Sequence, residues 1–308
     1  FLDRWNKEVI YCRPSMASSN ANNGWERHCA PRIVNGWNGV AISQQMVDAY
    51  FMADGSKYDQ SKEDLTKFST TADKYTKAGT NMMYVNREPR FYTSIIYNGA
   101  DWIYQEDGKP KQTVELFFKG NCGKGGSHDY SATGYLTCKN ISPNSDLYNW
   151  TGALRSLVMM RLGEIYLNYA EALNEVALAG GTIDNKEVLN SLIQLRKRAG
   201  IEPGNENYYG LPAPQNYDAA EMREIIRNER RIEMAFEEQR YWDIRRWRIA
   251  EDIFKEPLKG LNIQVVGNKT IYNEVNVLSA EFDTKRYFYP IPYSEVIKNG
   301  NMIQNPNW

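Results

Sequence analysis

The second half of the chain has the apolar spacing of amphipathic helices. From residue 157 to residue 179, apolar side chains recur close to helical spacing, which predicts one helix with an apolar face. Gly180 follows and predicts the end of this helix, because glycine readily adopts the left-handed conformation found at helix ends. The pattern therefore predicts a long helix at the start of this half.

A second amphipathic segment follows after a short turn. Asp184 is a suitable N-cap, and Glu187 stands three residues later, which is the pattern of a capping box. Gly200 predicts the end of this segment. Two helices joined by so short a turn pack antiparallel, so the sequence predicts a helical hairpin similar to one tetratricopeptide unit.

A third helix is predicted after a connection rich in proline and asparagine. Asp218 and Glu221 repeat the capping pattern, and the apolar stripe extends to Phe236. The helical pattern continues beyond this point, and we expect a bend near Glu238. Together the three segments predict a helical scaffold over residues 151–308.

The first half of the chain, residues 1–150, reads as loop-rich. Residues 1–40 contain several turn dipeptides and are expected to be irregular. A short helix is predicted over 43–53, because its apolar residues share one helical face. Short strands are predicted over 90–97, 113–118 and 134–139, with the last two as candidates for pairing.

The charge balance argues against a strongly charged partner. Lys plus Arg number 37 and Asp plus Glu number 38, which gives a net charge of −1 at pH 7. Such a chain has no long-range field that favours nucleic acid or an anionic membrane. Aromatic residues make up 13% of the chain, and Tyr and Trp combine a flat apolar face with a polar edge. That combination suits an amphipathic ligand such as a sugar.

The four cysteines, Cys12, Cys29, Cys122 and Cys138, leave two states open. Local disulfides between the first two and between the last two would each close a loop, whereas the alternative is four reduced thiols. The sequence has no Cys-x-x-Cys pair, and its two histidines lack zinc-ligand spacing. We therefore expect neither a metal site nor another cofactor.

Sequence motifs of common enzymes are absent: the chain has no nucleophile elbow, P-loop, dinucleotide fingerprint or His-Glu-x-x-His. A glycosidase needs only two carboxylates at a suitable distance, so that alternative stays open. Glu229, Arg230, Arg231 and Glu233 lie on the third helix, and we interpret them as structural ion pairs with neighbouring helices. The arginines and tryptophans of 242–248 are interpreted as stacking in the core.

Five blocks of the sequence resemble one known family. Residues 161–175, Arg-Leu-Gly-Glu-Ile-Tyr-Leu-Asn-Tyr-Ala-Glu-Ala-Leu-Asn-Glu, closely resemble the signature helix of the RagB/SusD family of outer-membrane nutrient-binding proteins. The other blocks follow in the family's order and extend the resemblance over about residues 40–308. These blocks are Gln45–Tyr50 with Asp54-Gly55, Pro89–Tyr92 with Ser94–Gly99, Glu229–Phe236 with Arg240–Trp247, and Tyr289–Pro292 with Gln304–Trp308.

The resemblance implies a mainly α fold, an α/α superhelix of tetratricopeptide-like hairpins with a loop-rich, partly β, ligand-binding region. Family members are longer than this chain, so the resemblance also implies a missing N-terminal region with further helices and a lipidated cysteine. The implied role is non-catalytic. It is to bind an oligo- or polysaccharide at the extracellular face of the outer membrane and deliver it to a SusC-type TonB-dependent transporter.

The ligand surface implied by the resemblance includes loops near the early helix. We therefore expect Trp25 and Trp37 to stack on sugar rings, with anchoring of the loops to the protein body as the alternative for each ring. A peptide-binding surface protein of the same family and a glycan hydrolase are the alternative functions. The further candidate contacts are Asn22, Asn23, Arg27, Asn38 and Trp102.

Overall fold

The computed structural model describes residues 3, 5–13, 19–103, 112–126, 128–139, 141–149, 152–153 and 156–308, with residues 19–23 as backbone. Its α-helices are α1 (Ser19–Cys29), α2 (Gln44–Ala49), α3 (Pro89–Ser94), α4 (Leu162–Leu178), α5 (Asn185–Ala199), α6 (Ala219–Glu233), α7 (Arg240–Arg246), α8 (Ala250–Lys255) and α9 (Tyr293–Val296). Its strands are β1 (Val9–Arg13), β2 (Ile95–Ile96), β3 (Leu136–Thr137), β4 (Leu157–Arg161), β5 (Leu258–Val266) and β6 (Lys269–Leu278). They form three two-stranded antiparallel sheets, which pair β1 with β4, β2 with β3 and β5 with β6.

Three helices form the apolar centre of the second half. The helix α4 packs against both α5 and α6. Leu167 of α4, Leu192 of α5 and Ile226 of α6 are almost fully buried in one cluster. The predicted pairing of α4 with α5 is confirmed, and α6 completes the cluster.

The predicted ends of these helices are confirmed where a cap was identified. The Asp184 carboxylate accepts a hydrogen bond from the backbone N–H of Lys186 at 2.9 Å. The Asp218 carboxylate accepts one from the N–H of Glu221 at 2.8 Å. Gly200 has a φ angle of 81°, the left-handed conformation expected at the end of α5. Local capping interactions therefore define these boundaries.

The start of α4 differs from the prediction. The first five residues of the predicted helix form the strand β4, which pairs with β1, and α4 begins at Leu162. The backbone N–H of Leu162 donates to the carbonyl of Glu8 at 2.8 Å, so the pairing reaches the first residue of the helix. A short apolar run fits either a strand or a helix, and here a distant partner strand decides between them.

The expectation that residues 1–40 are irregular is also wrong, because they contain β1 and α1. The Asn-Asn-Gly segment at 22–24 lies inside α1 and does not form the expected turn. Glu26 of α1 is buried, and its carboxylate accepts hydrogen bonds from the Ser142 backbone N–H at 2.8 Å and the Ser145 hydroxyl at 2.6 Å. These tertiary contacts stabilise a helix whose local propensity is weak.

A helix replaces most of the strand predicted over 90–97. Pro89 occupies the first position of α3, where its preset φ and missing N–H suit a helix start. The two isoleucines that follow α3 form β2, which pairs with β3. The segment 113–118 contributes one isolated bridge, to Asp101, so its expected pairing with 134–139 is wrong.

Two other predicted helices change in length. The helix predicted over 43–53 is the shorter α2. The third predicted helix is divided, since α6 ends at Glu233, and Phe236 and Glu238 have φ angles of 61° and 63°. The expected bend is therefore a break. Arg248, with a φ angle of 55°, lies between α7 and α8.

The aromatic residues of α7 lie nearer the surface than expected. Trp242 is 54% exposed, so the expectation of core stacking is wrong for this ring. Trp247 is half-buried, its indole N–H donates to Glu171 at 2.7 Å, and the guanidinium of Arg246 lies 4.8 Å from its ring centroid. Cation–π contacts thus hold Trp247 at the edge of the helical region.

The hairpin of β5 and β6 has no counterpart among the predicted elements. Its strands are joined by a tight turn at Gly267 and Asn268, and Gly267 has a φ angle of 60°. Ile263 and Tyr272 pack into the larger apolar core, which also receives side chains from α2, α3 and β3. A Gly-Asn dipeptide between two alternating segments is the sequence signal for such a hairpin.

A buried guanidinium lies at the C-terminal end of α2. Arg87 is 1% exposed and donates to the backbone carbonyls of Met83, Val47 and Tyr50 at 3.0, 2.6 and 2.8 Å. It also lies 4.0 Å from the centroid of the Tyr58 ring. Carbonyls at the end of a helix carry partial negative charge, so a cation is favoured at this position.

A network of buried ion pairs joins α6 to both halves of the chain. Glu233 pairs with Arg161 at 2.6 Å, with Arg90 at 3.0 Å and with Arg198. Glu229, one helical turn earlier, pairs with Arg90 at 2.8 Å. We call Arg90, Arg161, Arg198, Glu229 and Glu233 the α6 ion network. The structural role predicted for the acidic residues of this helix is confirmed.

Candidate functional site

A loop folds back onto the C-terminal end of α1 and fixes the position of Trp37. The backbone N–H of Trp37 donates to the carbonyl of Arg27 at 2.7 Å. The backbone N–H groups of Gly39 and Val40 both donate to the backbone carbonyl of His28, at 2.7 and 2.8 Å. At Gly36, the carbonyl oxygen of Ala30 would lie 2.1 Å from an added Cβ atom. This close approach requires glycine, so the loop can pack directly on the helix.

Aromatic and cationic side chains gather where this loop meets α1. The ring of Trp37 meets the His28 ring edge-on, with centroids 4.7 Å apart. The guanidinium of Arg27 lies 5.6 Å from the Trp37 centroid. Trp25 stands one helical turn before His28 and is 40% exposed. We call Trp25, Arg27, His28 and Trp37 the tryptophan surface.

A second loop is held against the first by one arginine. The guanidinium of Arg32 donates to the backbone carbonyls of Asn121, Asp129 and Gly123 at 2.9, 3.0 and 3.2 Å. The three carbonyls belong to a glycine-rich stretch of the sequence, 120–129. Arg32 therefore fixes this segment beside the tryptophan surface.

Two of the further candidate contacts lie inside the protein. Trp102 is 7% exposed and belongs to the larger apolar core. Asn38 has no exposed surface; its side chain accepts from the Arg32 N–H at 3.0 Å and donates to the carbonyls of Cys122 and Asp129. Burial leaves neither side chain available to a ligand, so both are removed from the candidate contacts.

Of the other three further candidates, Arg27 is only 9% exposed, so its guanidinium packs against the Trp37 ring with little surface left for a ligand. Asn22 and Asn23 lie in α1, and their side chains are outside the described part of the chain. His28 is exposed and belongs to the tryptophan surface, although the sequence did not suggest it as a ligand contact. Its position three residues after Trp25 would have been a usable signal, because residues three apart share a helix face.

We expect Asn38→Ala to destabilise the protein by about 2–4 kcal/mol, as measured by urea denaturation. The substitution removes the Asn38 donor from the buried Cys122 carbonyl and the Asn38 acceptor from the Arg32 backbone N–H. It also places a Cβ-bearing residue without local side-chain hydrogen bonds at a φ angle of 50°. Asn38→Gly is the matched control, since it loses the same hydrogen bonds at a φ angle that glycine tolerates. It should be about 1 kcal/mol more stable than Asn38→Ala. Weakened ligand binding with unchanged stability would instead make Asn38 a contact residue.

The cysteines carry thiols in the structure, and neither of the two local disulfides is formed. Cys29, Cys122 and Cys138 are buried. Burial raises the pKa of Cys122, and it raises the pKa of Cys138 to about 12. Thiols with raised pKa values stay protonated near neutral pH, so these side chains act as packing groups rather than nucleophiles.

Two neighbouring carboxyl groups have raised pKa values. Burial is the main cause, and it raises the pKa of Asp48 to about 6 and also raises that of Glu63. Each accepts a hydrogen bond from the chain itself, Asp48 from Gln44 at 2.8 Å and Glu63 from the Tyr58 hydroxyl at 2.6 Å. A carboxyl group with a raised pKa can serve as a general acid, so Asp48 is the residue on which the hydrolase alternative can be tested.

The described residues contain no group of three or more His, Cys, Asp or Glu side chains placed to hold a metal ion. The tryptophan surface presents an exposed indole and an exposed imidazole on a backbone fixed by hydrogen bonds, with the largely buried guanidinium of Arg27 against the half-buried Trp37 ring. Such a surface can bind a neutral ligand that has both C–H and hydroxyl groups.

The comparisons with known proteins agree with one another. The SusD family model matches residues 7–308 of the chain. A SusD-like protein from Bacteroides fragilis has a TM-score of 0.73 and 27% identity, over 99% of this chain and 55% of that chain. A SusD-like carbohydrate-binding protein from the same species has a TM-score of 0.63 and 25% identity, over 97% of this chain and 55% of that chain. SusD-like protein P2 of Formosa agariphila is 32% identical over 149 residues, or 48% of this chain and 25% of that protein.

The chain therefore spans about half the length of these two solved relatives, and its aligned part spans a quarter of the curated one. The solved relatives share the fold over nearly all of the chain, which confirms the mainly α, tetratricopeptide-like architecture predicted from the sequence. Since the family model also matches almost every residue, this chain belongs to the SusD family.

Proposed function

We propose that this chain binds an oligo- or polysaccharide without cleaving it, as part of a nutrient-uptake protein at the bacterial cell surface. The observation that carries the proposal is the tryptophan surface, in which the exposed indole of Trp25 lies one helical turn before the exposed imidazole of His28, and the Trp37 ring meets that imidazole edge-on. Membership of the SusD family supports it, as does a solved relative described as a SusD-like carbohydrate-binding protein.

In the proposed complex, the apolar face of a sugar ring stacks on the exposed Trp25 and contacts the half-buried Trp37. The imidazole of His28 exchanges hydrogen bonds with the sugar hydroxyls. Each such hydrogen bond contributes only about 1 kcal/mol, because the hydroxyl gives up a bond to water. The resulting affinity is modest, which suits a protein that must release its ligand to another component.

The proposed acceptor is a SusC-type TonB-dependent transporter in the outer membrane. The proposed location is the extracellular face of that membrane, with a lipid anchor on a part of the polypeptide outside this chain. Family membership supports both proposals. In the described part of the chain, every helix is too short or too polar to cross a bilayer.

Replacing both Trp25 and Trp37 by Ala is expected to weaken polysaccharide binding at least about tenfold while the fold is retained. Each aromatic contact contributes roughly 0.5–1.5 kcal/mol beyond its buried area, and 1.4 kcal/mol corresponds to tenfold in affinity. Affinity electrophoresis in native gels that contain single polysaccharides measures the loss, and circular dichroism checks the fold. Normal retardation of the folded double variant would refute the assignment of the site.

Trp242→Ala is the matched control, because it removes an exposed indole on α7, which is far in the sequence from the tryptophan surface. It should bind as the unmodified protein does. Loss of binding in this variant alone would move the site to the surface of α7. The hydrolase alternative predicts reducing-end products from the same polysaccharides, and their loss in Asp48→Asn. The peptide alternative predicts retention of peptides rather than polysaccharide by the immobilised protein.

A further inference from the structure

Three arginine side chains from α6 and α7 lie close together. Arg227 and Arg231 are one helical turn apart on α6, so they share a face of that helix. The guanidinium of Arg227 lies 5.1 Å from the centroid of the Trp247 ring. The guanidinium of Arg240, on α7, lies 6.0 Å from the same centroid. We call Arg227, Arg231 and Arg240 the arginine cluster.

A guanidinium that is withdrawn from water is costly unless acceptors or opposite charges surround it. Five arginines in or near the protein interior meet this condition. Four of them pair with carboxylates, and the fifth donates to three backbone carbonyls. They are Arg90, Arg161, Arg196 and Arg230, and Arg87.

Two members of the arginine cluster do not meet it. Arg240 is half-buried, and its guanidinium has no hydrogen bond or ion pair with any residue that the structure describes. Arg231 is also half-buried and makes one side-chain hydrogen bond, to the Gln45 carbonyl at 2.7 Å. Within the same described residues it has no carboxylate partner, so the ion pair expected for Arg231 is wrong. Arg227 pairs at 3.1 Å with Glu224, whose side chain is exposed.

The nearby carboxylates are committed to other partners. Asp243 accepts hydrogen bonds from the Nε atoms of Arg230 at 2.8 Å and Arg246 at 3.0 Å. Asp48 accepts a hydrogen bond from Gln44 at 2.8 Å. The cluster is therefore left with more positive than negative charge.

The cations of the cluster act on one another. Burial, together with the charge of Arg240, lowers the pKa of Arg231 to about 10. Burial also lowers the pKa of Arg240, and the charge of Arg227 adds to this effect, while Asp243 opposes it. Such mutual repulsion favours a bound anion at this place.

We propose that the arginine cluster binds an oxyanion, which is a carboxylate, sulfate or phosphate group of a small ligand. A guanidinium presents planar pairs of N–H donors, and these match the oxygen atoms of such a group. An anion between Arg231 and Arg240 supplies both the acceptors and the negative charge that these side chains lack. The proposal does not depend on the glycan assignment, because the tryptophan surface takes no part in it.

Isothermal titration of the chain with inorganic sulfate, at constant ionic strength, tests this proposal. Arg240→Gln should bind sulfate at least about tenfold more weakly than the unmodified protein, because hydrogen bonds from a charged donor are lost. Circular dichroism checks that the variant is folded. Should it not fold, Arg240→Lys replaces it. Lysine keeps the charge but lacks the planar fork, so this variant should also bind more weakly.

Arg245→Gln is the matched control, because it removes the same charge from the same helix. The guanidinium of Arg245 lies over the Tyr241 ring and donates to the Tyr241 carbonyl. This variant should bind sulfate as the unmodified protein does. Equal weakening in both variants would show only an effect of net charge and would overturn the proposal.

Titration with acetate and with glucuronate distinguishes two sources of the oxyanion. Glucuronate that binds more tightly than acetate, with the difference lost in Arg240→Gln, assigns the arginine cluster to an acidic sugar. Equal affinities of the two, both reduced in Arg240→Gln, assign it to a free anion. Unchanged affinities in the folded Arg240 variant would overturn the proposal, as would the absence of saturable binding of sulfate, acetate and glucuronate to the unmodified protein.

Discussion

Glu233→Gln should destabilise the protein by about 3–5 kcal/mol, the range expected when one partner of a buried ion pair is removed. Glu233 is 4% exposed and pairs with Arg161, Arg90 and Arg198. Glutamine keeps the shape of the side chain but not its charge. The substitution therefore leaves the guanidinium groups around it with too little negative charge to compensate them. Urea denaturation followed by circular dichroism measures the change.

Glu224→Gln is the control for this prediction, because it makes the same chemical change on the same helix. Glu224 pairs with Arg227 at 3.1 Å, but its side chain is 64% exposed. An exposed pair contributes roughly 0–1 kcal/mol, so this variant should be nearly as stable as the unmodified protein. Similar losses of stability in the two variants would show that a buried ion pair on α6 stabilises the protein no more than an exposed one.

The pH dependence of stability provides a second readout for Glu233. Burial by itself would raise its pKa, but the charges of Arg90, Arg161, Arg198 and Lys139 outweigh burial and hold the pKa well below its ordinary value. A carboxylate with a lowered pKa stabilises the fold fully above its unfolded pKa, about 4.3, and loses that contribution as the pH falls towards the folded pKa. The free energy of unfolding should therefore fall less steeply in Glu233→Gln than in the unmodified protein below about pH 4.

Arg87→Met should destabilise the protein by about 3 kcal/mol or more. Methionine fills a similar volume but donates no hydrogen bond, so the carbonyls of Val47, Tyr50 and Met83 all lose a charged donor inside the protein. The substitution also removes the cation–π contact between the guanidinium and the Tyr58 ring. The same denaturation experiment measures the loss.

Arg87→Lys separates charge from geometry. Lysine keeps the positive charge but lacks the planar fork that reaches three carbonyls, so its stability should lie between those of the methionine variant and the unmodified protein. Arg245→Met is the surface control, because Arg245 makes similar contacts in a less buried position. Its guanidinium donates to the Tyr241 carbonyl and lies 3.4 Å from the centroid of the Tyr241 ring. A stabilised Arg87→Met variant would mean that the cost of burying this cation exceeds the value of its contacts.

Capping residues and glycines correctly predicted those helix boundaries that depend on residues close in the sequence. The caps at Asp184 and Asp218 placed the starts of α5 and α6, and Gly200 placed the end of α5. The strand β4 could not be placed in this way, because its partner β1 lies far away in the chain. Arg87 stands in a charged segment of the sequence, 86–90, yet it is almost fully buried. Its burial depends on carbonyls that only the folded chain brings together.

The candidate site was predictable in part for the same reason. Tryptophans in a turn-rich stretch suggested a surface with aromatic rings, and Trp25 is exposed there. The polar dipeptide of Asn38 and Gly39 suggested a loop residue that contacts the ligand. Asn38 is buried instead, and its side-chain amide donates to the carbonyls of Cys122 and Asp129. A polar residue reads the same in the sequence whether its partner is a ligand or the backbone of another loop.

The sequence blocks that resemble the family supply four of the five members of the α6 ion network, Arg90, Arg161, Glu229 and Glu233. Trp25 and Trp37 belong to none of the blocks. A substitution within the network leaves a buried charge without its partner. A substitution on the tryptophan surface changes only the ligands that this surface can bind. At the proposed site, ligand preference can therefore change during evolution while the architecture that displays the site stays the same.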